Sequence, residues 1–109
     1  MDFVFIDDVA RANIRAATRD VTDVVCNVAS GVETTLDELA HTLIAAMGAD
    51  VSPVHEPQVS ENPVPRRVAD TAVVKRSLGW HPEIDMQTGL ERLVAWWRDS
   101  GGVEYAGLR

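Results

Sequence analysis

The apolar positions of this chain come in two kinds, short runs and helical stripes, and they alternate. Phe3, Val4, Phe5 and Ile6 form a run rich in aromatic and β-branched residues, the signature of a strand buried on both faces. Val24-Val25-Cys26-Asn27-Val28-Ala29, bounded by Ser30-Gly31, is a second such run. Between them Ala10, Ile14 and Ala17 recur at helical spacing, with Arg11, Arg15 and Arg19 on another side. Asp7 and Asp8 precede that stripe, and either can cap a helix starting near Val9 and favour the positive end of its dipole. Strand, helix, strand within about thirty residues predicts a βαβ unit with a right-handed crossover.

Thr35 and Glu38 stand at capping-box spacing before the stripe Leu36, Leu39, Leu43, Ile44 and Met47, and Gly48 is placed to stop that helix. Asp50 to Pro57 reads as an edge strand, because Val51 and Val54 alternate with polar neighbours and Pro53 cannot donate to a ladder. Gln58 to Pro65 holds two prolines and few apolar residues, an irregular extended loop. A third helix is marked at both ends, by Asp70 as N-cap and Gly79 as the left-handed terminator, with Val73, Val74 and Leu78 on one face. Trp80-His81-Pro82 turns the chain into a last helix, where Met86, Leu90, Leu93, Val94 and Trp97 share a stripe that Gly101-Gly102 closes. Gly89 weakens that helix slightly, and the residues from Val103 to Arg109 read as a loose tail. The resulting fold class is α/β: a partial Rossmann-type βαβ unit followed by a small α/β region, about three strands and four helices in a single domain over 1–109.

Composition narrows what such a domain can do. With 17 acidic residues against 10 Lys and Arg, and a formal charge of -7, the surface does not suit nucleic acid or an anionic membrane. No apolar run approaches the length needed to cross a bilayer and no signal peptide is visible, so the cytoplasm is the expected compartment. The single Cys26 lies in an apolar run and reads as a buried, inert thiol. No metal-ligating cluster stands out, and His41 and His55 read as surface residues.

Candidate chemistry is sparse. Arg66 and Arg67 place two forked guanidinium groups just before the third helix, a combination that suits phosphate oxygens; the alternative is that both sit in solvent or pair with carboxylates. Asn27 inside an apolar run must either bond to neighbouring backbone or look into a cleft, and Phe3 is the other candidate for lining one. Trp80, Trp96 and Trp97 could stack on a base or sugar, though such clusters more often belong to a core or an interface.

Taken in order, Asp2-Phe3-Val4-Phe5-Ile6-Asp7-Asp8-Val9-Ala10, Cys26-Asn27-Val28-Ala29-Ser30-Gly31, Val68-Ala69-Asp70, Leu78-Gly79-Trp80-His81-Pro82 and Gly89-Leu90 resemble a known family. The set is similar to the C-terminal, substrate-binding part of the extended short-chain dehydrogenases/reductases, within them the NAD-dependent nucleotide-sugar epimerases and dehydratases typified by UDP-glucose 4-epimerase. The resemblance implies a nucleotide-sugar ligand such as a UDP-sugar, with Arg66 and Arg67 on its diphosphate. It also implies NAD as the family's cofactor, held on an N-terminal Rossmann domain through a Gly-x-x-Gly-x-x-Gly loop, and catalysis by a Tyr-x-x-x-Lys pair. Neither motif occurs in this sequence: the only tyrosine is Tyr105, followed four residues later by Arg109. The expectation is therefore a chain that binds no NAD, has no epimerase activity by itself, and needs a Rossmann partner for catalysis. Two family arginines are replaced as well, one by Met1 and the other by Ser60, with Pro63 in place of the acid that follows it. The alternative function is a self-associating structural or interaction module derived from the same fold, a homodimer with no retained ligand.

Overall fold

The computed structural model describes residues 1–57 and 66–100. Four helices follow one another: α1 (Ile6–Thr18), α2 (Leu36–Met47), α3 (Ala72–Leu78) and α4 (Met86–Asp99). Among the described residues there is no β-strand, which overturns the expected βαβ unit and the α/β class with its three strands. The physical reason is pairing. A β-branched run becomes a strand only when a neighbour takes its N–H and C=O groups, and among the described residues no such neighbour pairs with Val24–Ala29 or residues 50–57. The first run is not a strand either, because its last residue, Ile6, already opens α1. The 24–29 segment is not buried on both faces: Cys26 and Val28 turn towards the core, whereas Val25 is 94 % exposed. The nearest approach to a ladder is at the N-terminus, where Met1 and Thr34 exchange backbone hydrogen bonds.

Each helix has a local cause, and not always the expected one. α2 carries the capping box as read: the Thr35 hydroxyl accepts from the Glu38 N–H at 3.1 Å, and the Glu38 carboxylate accepts from the Thr35 N–H at 2.7 Å. Gly48 (φ 64°) and Gly79 (φ 59°) end α2 and α3 in the left-handed conformation that favours glycine. α1 begins three residues earlier than expected, after Phe5, and neither Asp7 nor Asp8 caps it. The N-cap of α3 is Thr71 without a side-chain bond; Asp70 stands one residue before and accepts from the Ala72 N–H at 2.8 Å. α4 starts at Asp85, whose carboxylate accepts from the Thr88 N–H at 2.7 Å, and ends at Asp99 before reaching Gly101. Gln58 to Pro65 and the segment from Gly101 to Arg109 lie outside the described residues, and with them Ser60, Pro63 and Tyr105.

α2 packs on α4, and α1 on α3. The core is small: Ala12, Val74, Leu78 and Trp80 are buried together, with Val4, Val21, Cys26 and Val28 packed around them. Two carboxylates tie the loops to this core. Asp8 is wholly buried and accepts from the N–H groups of Glu83 and Ile84, each at 3.1 Å, while Arg11 pairs with it from one turn ahead. Its own carbonyl accepts from the Trp80 indole N–H at 2.9 Å, so one residue fixes the whole 80–84 turn against α1. Arg15 completes the join by donating to the Gly79 carbonyl at 2.8 Å, at the C-terminus of α3. Gly89 is a close approach: a Cβ there would stand 3.0 Å from the Phe5 ring.

Candidate functional site

Asp2 does for the N-terminal segment what Asp8 does for the core. Its carboxylate accepts from the Ser30 N–H at 2.8 Å, the Gly31 N–H at 2.9 Å, the Ser30 hydroxyl and the Ala69 N–H at 3.3 Å. Burial works to raise the Asp2 carboxyl, but the Ser30 hydroxyl and the three backbone N–H groups outweigh it and hold it below the ordinary carboxylate range. The result is that residues 1–2, 27–31 and 67–70 are drawn together around a shallow depression of about 480 Å³.

Two of the four expected site residues, Asn27 and Arg67, line that depression, together with Asp2, Ala69 and Asp70. Asn27 settles the question its position raised by bonding to backbone: its Nδ2 donates to the Asp70 carbonyl at 3.3 Å, yet the residue stays exposed. Arg67 makes no ion pair among the described residues, which leaves its guanidinium available in the depression. Arg66 does not line it. Its Nε donates to the Glu33 carboxylate at 2.8 Å, an exposed pair, so here the bland alternative of a carboxylate partner holds. Phe3 is elsewhere too, lining an apolar groove of about 290 Å³ with Phe5, Leu39, Ile84, Leu90 and Leu93 between the N-terminal segment, α2 and α4. The first amide of α3 is also taken, by Asp70, so the helix end itself offers less to an anion than the sequence promised.

The depression thus sets the Arg67 guanidinium, without an ion pair among the described residues, beside the Asn27 amide and the exposed Asp70 carboxylate, next to the Asp2 carboxylate that already accepts from four donors. Such a site can hold an anionic oxygen through a charge-assisted hydrogen bond and orient a neighbouring polar group. Among the described residues no group of three or more His, Cys, Asp and Glu is placed to hold a metal ion, and no helix is long and apolar enough to cross a membrane. His41 and His55 both reach Asp37, at 3.6 and 3.0 Å, on the exposed side of α2. Trp80 is core, and Trp96 and Trp97 meet edge to face at 6.5 Å with both rings partly in solvent. Sequence reasoning missed the structural weight of Asp2 and Asp8. The only signal was their place in the Asp2–Ala10 motif, which says nothing of partners some thirty to seventy-five residues away.

No family model matches the chain. Over 99 residues, 91 % of its length, it is 32 % identical to a putative UDP-glucose 4-epimerase of Methanocaldococcus jannaschii, of which it covers 31 %. Its backbone superimposes on a UDP-glucose 4-epimerase from Thermotoga maritima, solved with UDP-glucose, with a TM-score of 0.83 and 32 % identity, over 91 % of this chain and 31 % of that one. The Bordetella bronchiseptica enzyme WbmF, in complex with NAD+ and UDP, matches with a TM-score of 0.77 and 26 % identity over 92 % of this chain and 30 % of its own. The chain therefore spans about a third of the length of the proteins it matches.

Proposed function

We propose, for a chain that is homologous to the C-terminal part of the extended short-chain dehydrogenases/reductases of the UDP-glucose 4-epimerase and dehydratase family, that it binds the nucleotide sugar and leaves the chemistry to a nucleotide-binding part outside these residues. The observation that carries this reading is Arg67, unpaired among the described residues and set beside Asn27 in the depression under residues 67–70. A diphosphate oxygen there would replace solvent on the guanidinium, and Arg66 could turn from Glu33 to add a second fork. Breaking the Arg66–Glu33 pair costs little, since both side chains are exposed.

In this reading NAD and the proton-transferring groups are contributed by the Rossmann half. The residues described here supply binding and orientation, no epimerase activity belongs to this chain alone, and the compartment is the cytoplasm. The ligand is a UDP-sugar or another nucleotide sugar, recognised first through its diphosphate. A charge-assisted hydrogen bond of this type contributes about 1.5–3 kcal/mol, so Arg67→Ala should weaken UDP binding by roughly 10- to 100-fold in a calorimetric titration. Equal affinity of Arg67→Ala and wild type would remove Arg67 from the site. An Arg66→Ala variant with the larger loss would move the diphosphate to the Glu33 side.

A further inference from the structure

Arg67 sits on a stretch of chain that other side chains hold on both sides of it. One residue before it, the Arg66 Nε donates to the Glu33 carboxylate at 2.8 Å. Two residues after it, the Ala69 N–H donates to Asp2 Oδ2 at 3.3 Å, and the carbonyl of the next residue, Asp70, accepts from Asn27 Nδ2 at 3.3 Å. Asp2 and Asn27 thus grip the N–H and the C=O of one dipeptide, as a neighbouring strand would. The two grips are joined to each other, because Asp2 also accepts from the N–H groups of Ser30 and Gly31, in the turn that follows Asn27. Gly31 (φ 73°) lets that turn close on the gripped segment, where a Cβ in its place would stand 3.6 Å from the Thr71 hydroxyl oxygen. Thr71 itself is buried. The Arg67 side chain, by contrast, is exposed and has no ion pair among the described residues, so its backbone is what sets its place in the depression.

We infer that Asn27 and Asp2 are positioning residues of the anion site: they act on a bound diphosphate through the Ala69–Asp70 dipeptide, which aims Arg67, and touch no ligand atom themselves. This inference rests on the ligand reading above and adds to it the residues, other than the arginine, that set its affinity. The argument is one of donors and acceptors. A diphosphate ester presents acceptors, whereas Asp2 is itself an acceptor and a like charge, already holding four donors. Asn27 has its amide turned to the Asp70 carbonyl. What both residues supply is order. A long, flexible guanidinium side chain binds an anion more tightly when the backbone that carries it is fixed beforehand, because less freedom is lost on binding.

A double-mutant cycle on UDP binding, read by amide chemical shifts, tests it. Asn27 is exposed, so Asn27→Ala should melt with the parent. Losing the order that one neutral hydrogen bond supplies should weaken UDP binding roughly 5-fold. In an Arg67→Ala background the same substitution should change nothing, since no guanidinium is left to aim. Before ligand is added, Asn27→Ala should also move the Thr71 amide signal, because that N–H belongs to the peptide whose carbonyl Asn27 holds. Asp2→Ala should repeat the pattern with a larger loss and a shift at Ala69; should it unfold, the Asn27 cycle decides alone. A loss from Asn27→Ala that persists at full size in the Arg67→Ala background overturns the inference, because Asn27 would then meet the ligand itself. So does an Asn27→Ala chain that binds UDP as the wild type does. In both of these outcomes the wild type still binds UDP and the ligand reading stands. A wild type that takes no UDP, or takes it equally well without Arg67, removes both.

Discussion

Asp8→Ala should be the most damaging single substitution on the polar side of this fold. The buried carboxylate accepts from two backbone N–H groups, at Glu83 and Ile84, and pairs with Arg11. Truncation leaves two donors and one cation without that partner. Removing one member of a buried, hydrogen-bonded ion pair costs about 3–5 kcal/mol. The lower end applies here, because Arg11 keeps access to water and to Glu83 at 3.3 Å. A loss of about 3 kcal/mol is a large part of the roughly 5–15 kcal/mol that holds a domain of this size together. It should lower the melting temperature by about 12–20 °C. Urea unfolding followed by far-UV circular dichroism and by tryptophan fluorescence would measure it, with Asp7→Ala as control. Asp7 is exposed and, among the described residues, its one ion pair is with Arg92 at 3.6 Å, so its loss should cost under about 1 kcal/mol. If Asp8→Ala fell within about 1 kcal/mol of wild type, or if the two variants cost the same, the account of Asp8 as the tie between α1 and the 80–84 turn would be refuted.

Asp2, Glu38 and Asp85 are all held below the ordinary carboxylate range in the folded chain, so each stabilises it when ionised. Their contribution is present above the unfolded pKa near 4 and is lost as pH falls through the folded values. Asp2→Asn should therefore flatten the acid limb of the stability–pH curve, and an unchanged slope would contradict the four-donor description. Gly89→Ala should destabilise the wild-type chain, because its Cβ would press on the Phe5 ring, but stabilise a Phe5→Ala background by about 1 kcal/mol through helix propensity. The same sign in both backgrounds would rule out the close approach as the reason for glycine. Thr35→Ala removes one half of the capping box and should cost about 1 kcal/mol in thermal unfolding; no loss would mean that the Glu38 half suffices.

What the sequence conveyed was whatever its own neighbours decide. The Thr35–Glu38 box and the left-handed Gly48 and Gly79 depend on contacts within a turn or two, and they stand as read. Strand assignment at Val24–Ala29 failed because β-branched composition reports a preference for extended backbone and is silent on whether a partner strand exists. Asp8 was read as a cap since an acid before a helix usually is one, but its donors come from a turn seventy-five residues on. Ala10, Ile14 and Ala17 were correctly seen to share a face; which way that face points was decided by Asp8 and Ala12, through contacts with distant residues. At the candidate site the Arg-Arg pair was visible, whereas its division into an Arg66 bound to Glu33 and an Arg67 in the depression depends on a loop thirty-three residues away.

The central claim is that this chain carries a nucleotide-sugar site of its own, and the direct measurement is a titration of the isotopically labelled chain with UDP and UDP-glucose, followed by amide chemical shifts. The account predicts saturable shifts centred on Asn27 and on residues 67–70, abolished in Arg67→Ala. Unshifted spectra at millimolar ligand, or shifts confined to the Phe3 groove, would contradict it.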